Sequence, residues 1–265
     1  DPKNYRGISV SSMLGKIIPK IILKRISDSY ESLISQNQYG FRKSRSTTDA
    51  IFLLSQLLSK SDQKVILTFV DLKAAYDWID REMLLKVFEY RTGASNITRI
   101  LRQSLINTSA QVKGALSCFP TESGLKQGAL ESPSLFNIYF DFVIQISKYY
   151  INLKVQPTKL MFNYQIPVEC LGNRESRVRG YASGKIELED EEYADDLICI
   201  NTSVIESKEL LDIYDETFRR FGLTINYDKT ETMCINFEEE IKVKETLFTV
   251  NSHEIKNVRQ FKYLG

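Results

Sequence analysis

The stretch "ELEDEEYADDLICI" sets two adjacent carboxylates, Asp195 and Asp196, between apolar runs that otherwise read as a hairpin of strands. Burying one ionised carboxylate without a partner costs several kcal/mol, and two side by side repel each other. A fold containing this stretch must turn the pair to water or set a cation between it and another acid. A candidate second acid closes "KVILTFVDL", an apolar, β-rich run that ends at Asp71. If the two strands are neighbours, Asp71 and Asp195 converge. The cluster then suits Mg2+, which takes one or two carboxylates, keeps some waters and shares substrate phosphates. Two such ions about 4 Å apart can activate an attacking hydroxyl and stabilise a leaving oxygen. Taken alone, the Asp-Asp pair fits a solvated turn better than a metal site.

The rest of the chain predicts a mixed architecture. "SSMLGKIIPKIILKRISDSYESLI" has helical apolar spacing, with Pro19 near its start or at a kink. "STTDAIFLLSQLLSK" is a second helix with N-cap candidates at Ser46 to Thr48, and "DREMLLKVFEY" a third. "SAQVKGALSCFPTESG" has strand and turn character, and "SPSLFNIYFDFVIQISKYY" is a helix opened by Ser132 and Pro133. "ESKELLDIYDETFRRFG" is an amphipathic helix ending at Gly222, "ETMCINF" is a strand, and the acids at 238–240 mark a turn before two short strands. Strands and helices mix without strict βαβ alternation, which favours α+β.

Composition excludes several classes. No run approaches the roughly 18 apolar residues of a membrane span. The start, "DPKNYRGISV", has neither a leader's apolar stretch nor a Met, and reads as a segment cut from a longer protein. Cys118, Cys170, Cys199 and Cys234 lie far apart without CxxC spacing, so neither a zinc site nor a disulfide framework is indicated. A single histidine, His253, argues against a His-based triad. The net charge of +1 hides an asymmetry: residues 1–60 carry 10 Lys/Arg against 4 Asp/Glu, and residues 186–245 carry 6 against 18. A basic front suits a polyanion and an acidic back suits cations.

Seven segments in order along nearly all 265 residues resemble the motifs of reverse transcriptase domains, most of all those of non-LTR (LINE-type) retrotransposons. They are "NYRGISVSSMLGK", "QYGFRKSRSTTDAI", "FVDLKAAYDWIDRE", "GLKQGALESPSLFNIYFD", "YADDL", "GLTINYDKTE" and "FKYLG". The resemblance implies the fingers and palm of a right-hand polymerase, with an antiparallel palm sheet backed by helices, without its thumb. Residues 1–63 would be mainly fingers, and 64–265 mainly palm with fingers contributions around 80–125. Residues 261–265 would begin the primer grip, with Phe261, Tyr263, Leu264 and Gly265.

By the same resemblance Asp71, Asp195 and Asp196 are the catalytic acids. Asp71 and Asp195 would be the main ligands of two Mg2+ ions, with Mn2+ as a substitute. Asp196 would support them on the primer side, and the backbone of Leu72 would complete a shell. Tyr76 matches the aromatic that blocks a sugar 2′-OH, while Asp77 and Trp78 read as structural. Gln127 and Gly128 match a nucleotide-contacting pair. Arg42, Lys43 and Arg45 match basic residues near triphosphate or template; Arg6 and Lys16 are weaker candidates for RNA-backbone contact. Lys229 matches a position proposed to protonate leaving pyrophosphate.

The implied partners are an RNA template, a DNA primer and dNTPs, with no membrane, and a parent polyprotein bearing an endonuclease and a thumb. Nuclear action at chromosomal DNA follows from the resemblance alone. Glu131 and Pro19 depart from the usual pattern. The long connection through 151–185 has no assigned role beyond a template contact by Arg174, Arg177 and Arg179. A degenerate copy that only binds RNA, and an RNA-dependent RNA polymerase, stand as alternatives.

Overall fold

The computed structural model describes residues 7–60, 62–155, 157, 160–167 and 181–264. Arg6, Cys170, Arg174, Arg177, Arg179 and Gly265 lie outside them. The central element is a six-stranded sheet in the order β6-β7-β1-β8-β10-β9. Its strands are β1 (Val65–Val70), β6 (Asp190–Tyr193), β7 (Asp196–Asn201), β8 (Glu231–Ile235), β9 (Thr246–Val250) and β10 (His253–Asn257). Neighbours run antiparallel except β8 and β10, which are parallel. Every residue of β1 is buried, as a central strand of β-branched and aromatic residues should be.

Strand alternation divides β1 and β7 between two cores. Val70, Leu197 and Cys199 join the larger core. Its main helices are α4 (Arg81–Thr92), α6 (Ser132–Lys154) and α7 (Val204–Arg220), and two further helices add Ile22, Ile26 and Tyr30, and Leu101 and Leu105. Val65, Leu67, Phe69, Ile198 and Ile200 face the other way, against Leu54 and Leu57 of α2 (Thr47–Lys60) and against Phe261 and Tyr263. Phe261 stacks on Phe69 with centroids 3.7 Å apart.

The helix boundaries follow local chemistry. Pro19 sits in the first turn of α1 (Ile17–Leu33), where its missing N–H costs nothing. Ser46 and Asp49 cap α2 reciprocally: the Asp49 N–H donates to Ser46 Oγ at 3.3 Å, and the Ser46 N–H to Asp49 Oδ2 at 2.8 Å. Asp80 caps α4 by accepting from the Met83 N–H at 2.8 Å. A buried ion pair locks α1 and α4 to α6: Asp141 accepts from the Ser35 N–H at 2.7 Å and from Arg91 at 2.7 Å.

Several elements were not foreseen in the sequence. The polar stretch "SNITRILRQSL" forms α5 (Ser95–Leu105), which buries only Thr98, Leu101 and Leu105, a narrow stripe at helical spacing. The 151–185 connection contributes an antiparallel pair, β4 (Leu160–Pro167) with β5 (Tyr181–Leu188). The acids at 238–240 open a single helical turn, α8 (Glu239–Lys242), rather than a plain turn. The stretch around 108–121 pairs as β2 (Thr108–Gln111) with β3 (Cys118–Thr121). Arg81 rivets this hairpin, donating to the carbonyls of Gly124 and Leu105, each at 2.7 Å, and to the carbonyl of Thr121.

Candidate active site

Asp71 follows β1 directly, and Asp196 opens β7. The register pairs Val70 with Leu197, so its next step sets Asp71 opposite Asp196. Alternation from Phe69 and Ile198 turns both side chains to the face away from the large helical layer. Asp195 is half-buried one residue into the turn that joins β6 to β7. The acids that stand more than a hundred residues apart in the sequence thus meet at one end of the sheet.

Backbone bonds hold Asp71 from the β8 side. Its N–H donates to Thr230 Oγ1 at 3.3 Å, its carbonyl accepts from the Asn226 N–H at 2.8 Å, and its Oδ2 accepts from Asn226 Nδ2 at 2.8 Å. Leu72 forms an antiparallel bridge with Ile225 in which Asp71 and Lys73 carry the hydrogen bonds. Leu72 therefore points its own carbonyl to the opposite edge, where the Asp195–Asp196 turn lies.

That turn is held from beneath. Ala194 is in the left-handed region, φ +57°. Gln38, fully buried, accepts from the Ala194 N–H at 2.9 Å and donates to the Ala194 carbonyl at 3.2 Å. The backbone of 37–39 also pairs with Glu192, whose N–H donates to the Asn37 carbonyl at 2.9 Å. β6 is an acidic strand sunk into the interior: Asp190 is paired with Lys148 at 2.8 Å and accepts from Asn37 Nδ2 at 2.8 Å. Burial, then the Asp190 charge, pushes the Glu192 carboxyl up to about 8. Burial pushes Glu191 up to about 7, opposed by a 3.0 Å hydrogen bond from the Tyr263 hydroxyl.

Tyr76 lies on the short helix α3 (Ala75–Trp78), entered through left-handed Ala74. Its ring stacks on Phe136 at 4.4 Å and 8°. Burial raises the hydroxyl's pKa, and the charge of Asp195 raises it further. The loop bearing Gln127 and Gly128 is stitched to α3: the Leu125 N–H donates to the Tyr76 carbonyl at 2.7 Å and Gln127 Nε2 to Asp77 Oδ1 at 3.3 Å. Asp77 thus positions Gln127. Gly128 has φ +97°, and a Cβ there would come 2.8 Å from the Ser9 carbonyl oxygen, so the sequence demands glycine.

The basic fingers residues divide. Arg42 is buried, and its guanidinium is taken up by Glu31, by the Ser35 carbonyl at 2.5 Å and by the Gln38 carbonyl at 3.1 Å. The expectation that it contacts phosphate is corrected: a planar fork with five donors braces the loop that carries Gln38. Lys43 is exposed. Arg45 lies 4.8 Å from the Tyr39 ring centroid and donates to Gln36 Oε1 at 2.5 Å. Lys229 is exposed in the 226–230 turn that Asn226 ties to Asp71. Lys16 is half-exposed at the end of a 3-10 turn before α1. Ser132 and Pro133 are the first residues of α6, but the expectation that Ser132 caps it is corrected: the N-cap is Glu131, no side chain caps the helix, and Ser132 Oγ donates to the Lys126 carbonyl at 2.8 Å.

Sequence reasoning missed Gln38, Gly40, Asn226 and Thr230. The first two stand in "QYGFRKS" and the others in "INYDKTE", but each motif drew attention only to its cations.

The donor set suits a hard divalent ion: carboxylate oxygens with a backbone carbonyl beside them. Among the described residues no three His, Cys, Asp or Glu side chains close a cage. An open set that leaves positions for water and phosphate oxygens is what Mg2+ takes.

A mixed sheet with its large helical layer on one face, and acids at two adjacent strand ends, is the palm of a right-hand polymerase with fingers elements around it. The profile of the family described as "Reverse transcriptase (RNA-dependent DNA polymerase)" matches residues 1–265, and the chain belongs to that family. It is 22% identical over its whole length to the RNA-directed DNA polymerase from mobile element jockey of Drosophila funebris, covering 27% of that protein. It is 25% identical over 61% of its length to a 115 kDa protein in the type-1 retrotransposable element R1DM of Drosophila melanogaster, covering 16% of it. These relatives bear out the expected non-LTR type. Among solved structures, apo telomerase from Candida tropicalis truncated from its C-terminal domain superposes with TM-score 0.54 over 85% of this chain and 42% of that one, at 12% identity. A Candida tropicalis telomerase bound to a fragment of telomeric RNA gives 0.51 over 94% and 38%, also at 12% identity. The likeness shows the fold.

Proposed function

We propose that this chain is the fingers and palm of an enzyme that extends a DNA primer on an RNA template from dNTPs. Reverse transcriptases as a family use divalent metal ions, and here the Asp195–Asp196 turn and Asp71, with the carbonyl of Leu72, are the residues that would hold two Mg2+. Bound there, the ions would lower the pKa of the primer 3′-OH and offset charge on the phosphates. The bond between the 3′-oxygen and the α-phosphorus forms as the bond from that phosphorus to the pyrophosphate oxygen breaks. The 3′-OH proton passes to solvent, and Lys229 supplies one to the leaving pyrophosphate. Tyr76, fixed by its stack on Phe136, would fill the space of a 2′-OH. Gln127 and Gly128 would line the nucleotide, Lys43 and Arg45 the phosphates or template. Phe261 and Tyr263 begin a primer grip beside Asp196, whose charge Tyr263 feels.

One observation carries this reading: Asp71 and Asp196 face the same way from neighbouring strand ends. Chromosomal DNA as primer would place the reaction in the nucleus, with an endonuclease and a thumb supplied by the rest of the parent protein.

The test is primer extension on an RNA template, dNTPs against NTPs, for the parent and Asp195→Asn with the thumb restored. DNA synthesis by the parent, lost by at least about a hundredfold in the variant, is expected. Synthesis only from NTPs would point to an RNA-dependent RNA polymerase. Template binding without extension would point to a copy that only binds RNA.

A further inference from the structure

We propose that Gln38, with Gly40, is a positioning device that sets the height and direction of the Asp195–Asp196 turn, coupling the fingers loop to the palm's acids. The proposal rests on the polymerase reading for its consequence, and on geometry alone for the clamp.

The turn needs an external brace. Tyr193 and Asp196 close it as a cross-strand pair, which leaves Ala194 and Asp195 as its two central residues. A positive φ at the first of them suits glycine, and the left-handed region is strained for alanine. Ala194 adopts φ +57° all the same. Gln38 supplies the compensation. Its Oε1 accepts from the Ala194 N–H at 2.9 Å and from the Gly40 N–H at 2.8 Å, and its Nε2 donates to the Ala194 carbonyl at 3.2 Å. One amide therefore reads both polar groups of the residue next to Asp195, as a neighbouring strand would. Only a primary amide of this length carries donor and acceptor together; glutamate lacks the donor and asparagine is one methylene short.

Gly40 makes the approach possible. A Cβ there would lie 2.3 Å from the Ala194 nitrogen and 2.9 Å from its Cα, closer than any side chain can stand to backbone. Its φ is not in the left-handed region, so close contact and not conformational freedom explains this glycine. Arg42 completes the brace by holding the carbonyls of Ser35 and Gln38. The fingers loop is thus built around the turn, and a shift of either would move the acids.

The test compares the 265-residue chain with Gln38→Met, which keeps length and bulk but removes both hydrogen-bonding atoms, and with Gln38→Glu, which keeps the acceptor. Amide hydrogen exchange at Ala194, Mn2+ affinity by EPR titration, and single-turnover extension with the thumb restored are measured for each. In Gln38→Met the Ala194 amide is expected to lose about tenfold or more of its protection while β7 keeps its own. Mn2+ affinity and extension rate should each fall about tenfold or more, with the dNTP concentration for half-maximal rate changed less than about twofold. Gln38→Glu should lie between, and it serves if the Met variant does not fold.

Unchanged protection at Ala194 would overturn the clamp. Lost protection with Mn2+ affinity and rate intact would overturn its positioning role. A parent chain that protects Ala194 through Gln38 yet neither binds Mn2+ nor extends a primer would sink the polymerase reading and leave the clamp standing.

Discussion

Arg42 and Tyr76 show at residue scale how burial assigns a role that residue type leaves open. An arginine in a basic loop suggests phosphate, but Arg42 spends its donors on Glu31 and two backbone carbonyls. Removing it strands those acceptors, so Arg42→Ala should cost about 2–3 kcal/mol in chemical denaturation, discounted for the partial exposure of Glu31. Its retention of nucleic-acid affinity, once folded, is the complementary outcome. Tyr76 carries a ring held flat on Phe136. Tyr76→Val should raise NTP incorporation relative to dNTP by about tenfold or more, roughly 1.4 kcal/mol of lost discrimination, read from competitive extension. "YDW" after Asp71 was legible as a gate in the sequence; that Asp77 would orient Gln127 was not, because fifty residues separate them.

At the scale of elements, β6 is the unusual strand. It buries Asp190, Glu191 and Glu192, the acids that lead into the Asp195–Asp196 turn. With Lys148, Asn37, Gln38 and Tyr263 as partners, the acids are tolerated, two of them with carboxyls raised by burial to about 7 and about 8. The sign follows: a carboxyl whose folded pKa is raised binds more protons in the folded state, so stability falls as pH climbs from its unfolded value near 4.5 through the folded one. Thermal melts should show Tm dropping between about pH 5 and pH 8, and Glu192→Gln should flatten that slope. A Tm that rises with pH over this range would contradict the arrangement.

Across the whole molecule, the basic front of the sequence resolves into two populations. Lys43 is exposed, whereas Arg42 is interior. For binding to a primer–template, the slope of log affinity against log salt should shrink by about 0.7–0.9 in Lys43→Ala and stay unchanged in Arg42→Ala. Net charge over residues 1–60 cannot make that distinction. Among the described residues no helix is long and apolar enough to cross a membrane.

The sequence by itself determined the order of the motifs, the strand that ends in Asp71, the acidic hairpin, the capping of α2 and α4 and the mixed α+β class, because each depends on residues near one another in the chain. Only the tertiary structure decided that Asp71 stands opposite Asp196, that Gln38 grips Ala194, and that an acidic strand lies inside. Those outcomes depend on which strands become neighbours and which side chains then have partners, and contacts across more than a hundred residues leave no periodic trace in the chain that makes them.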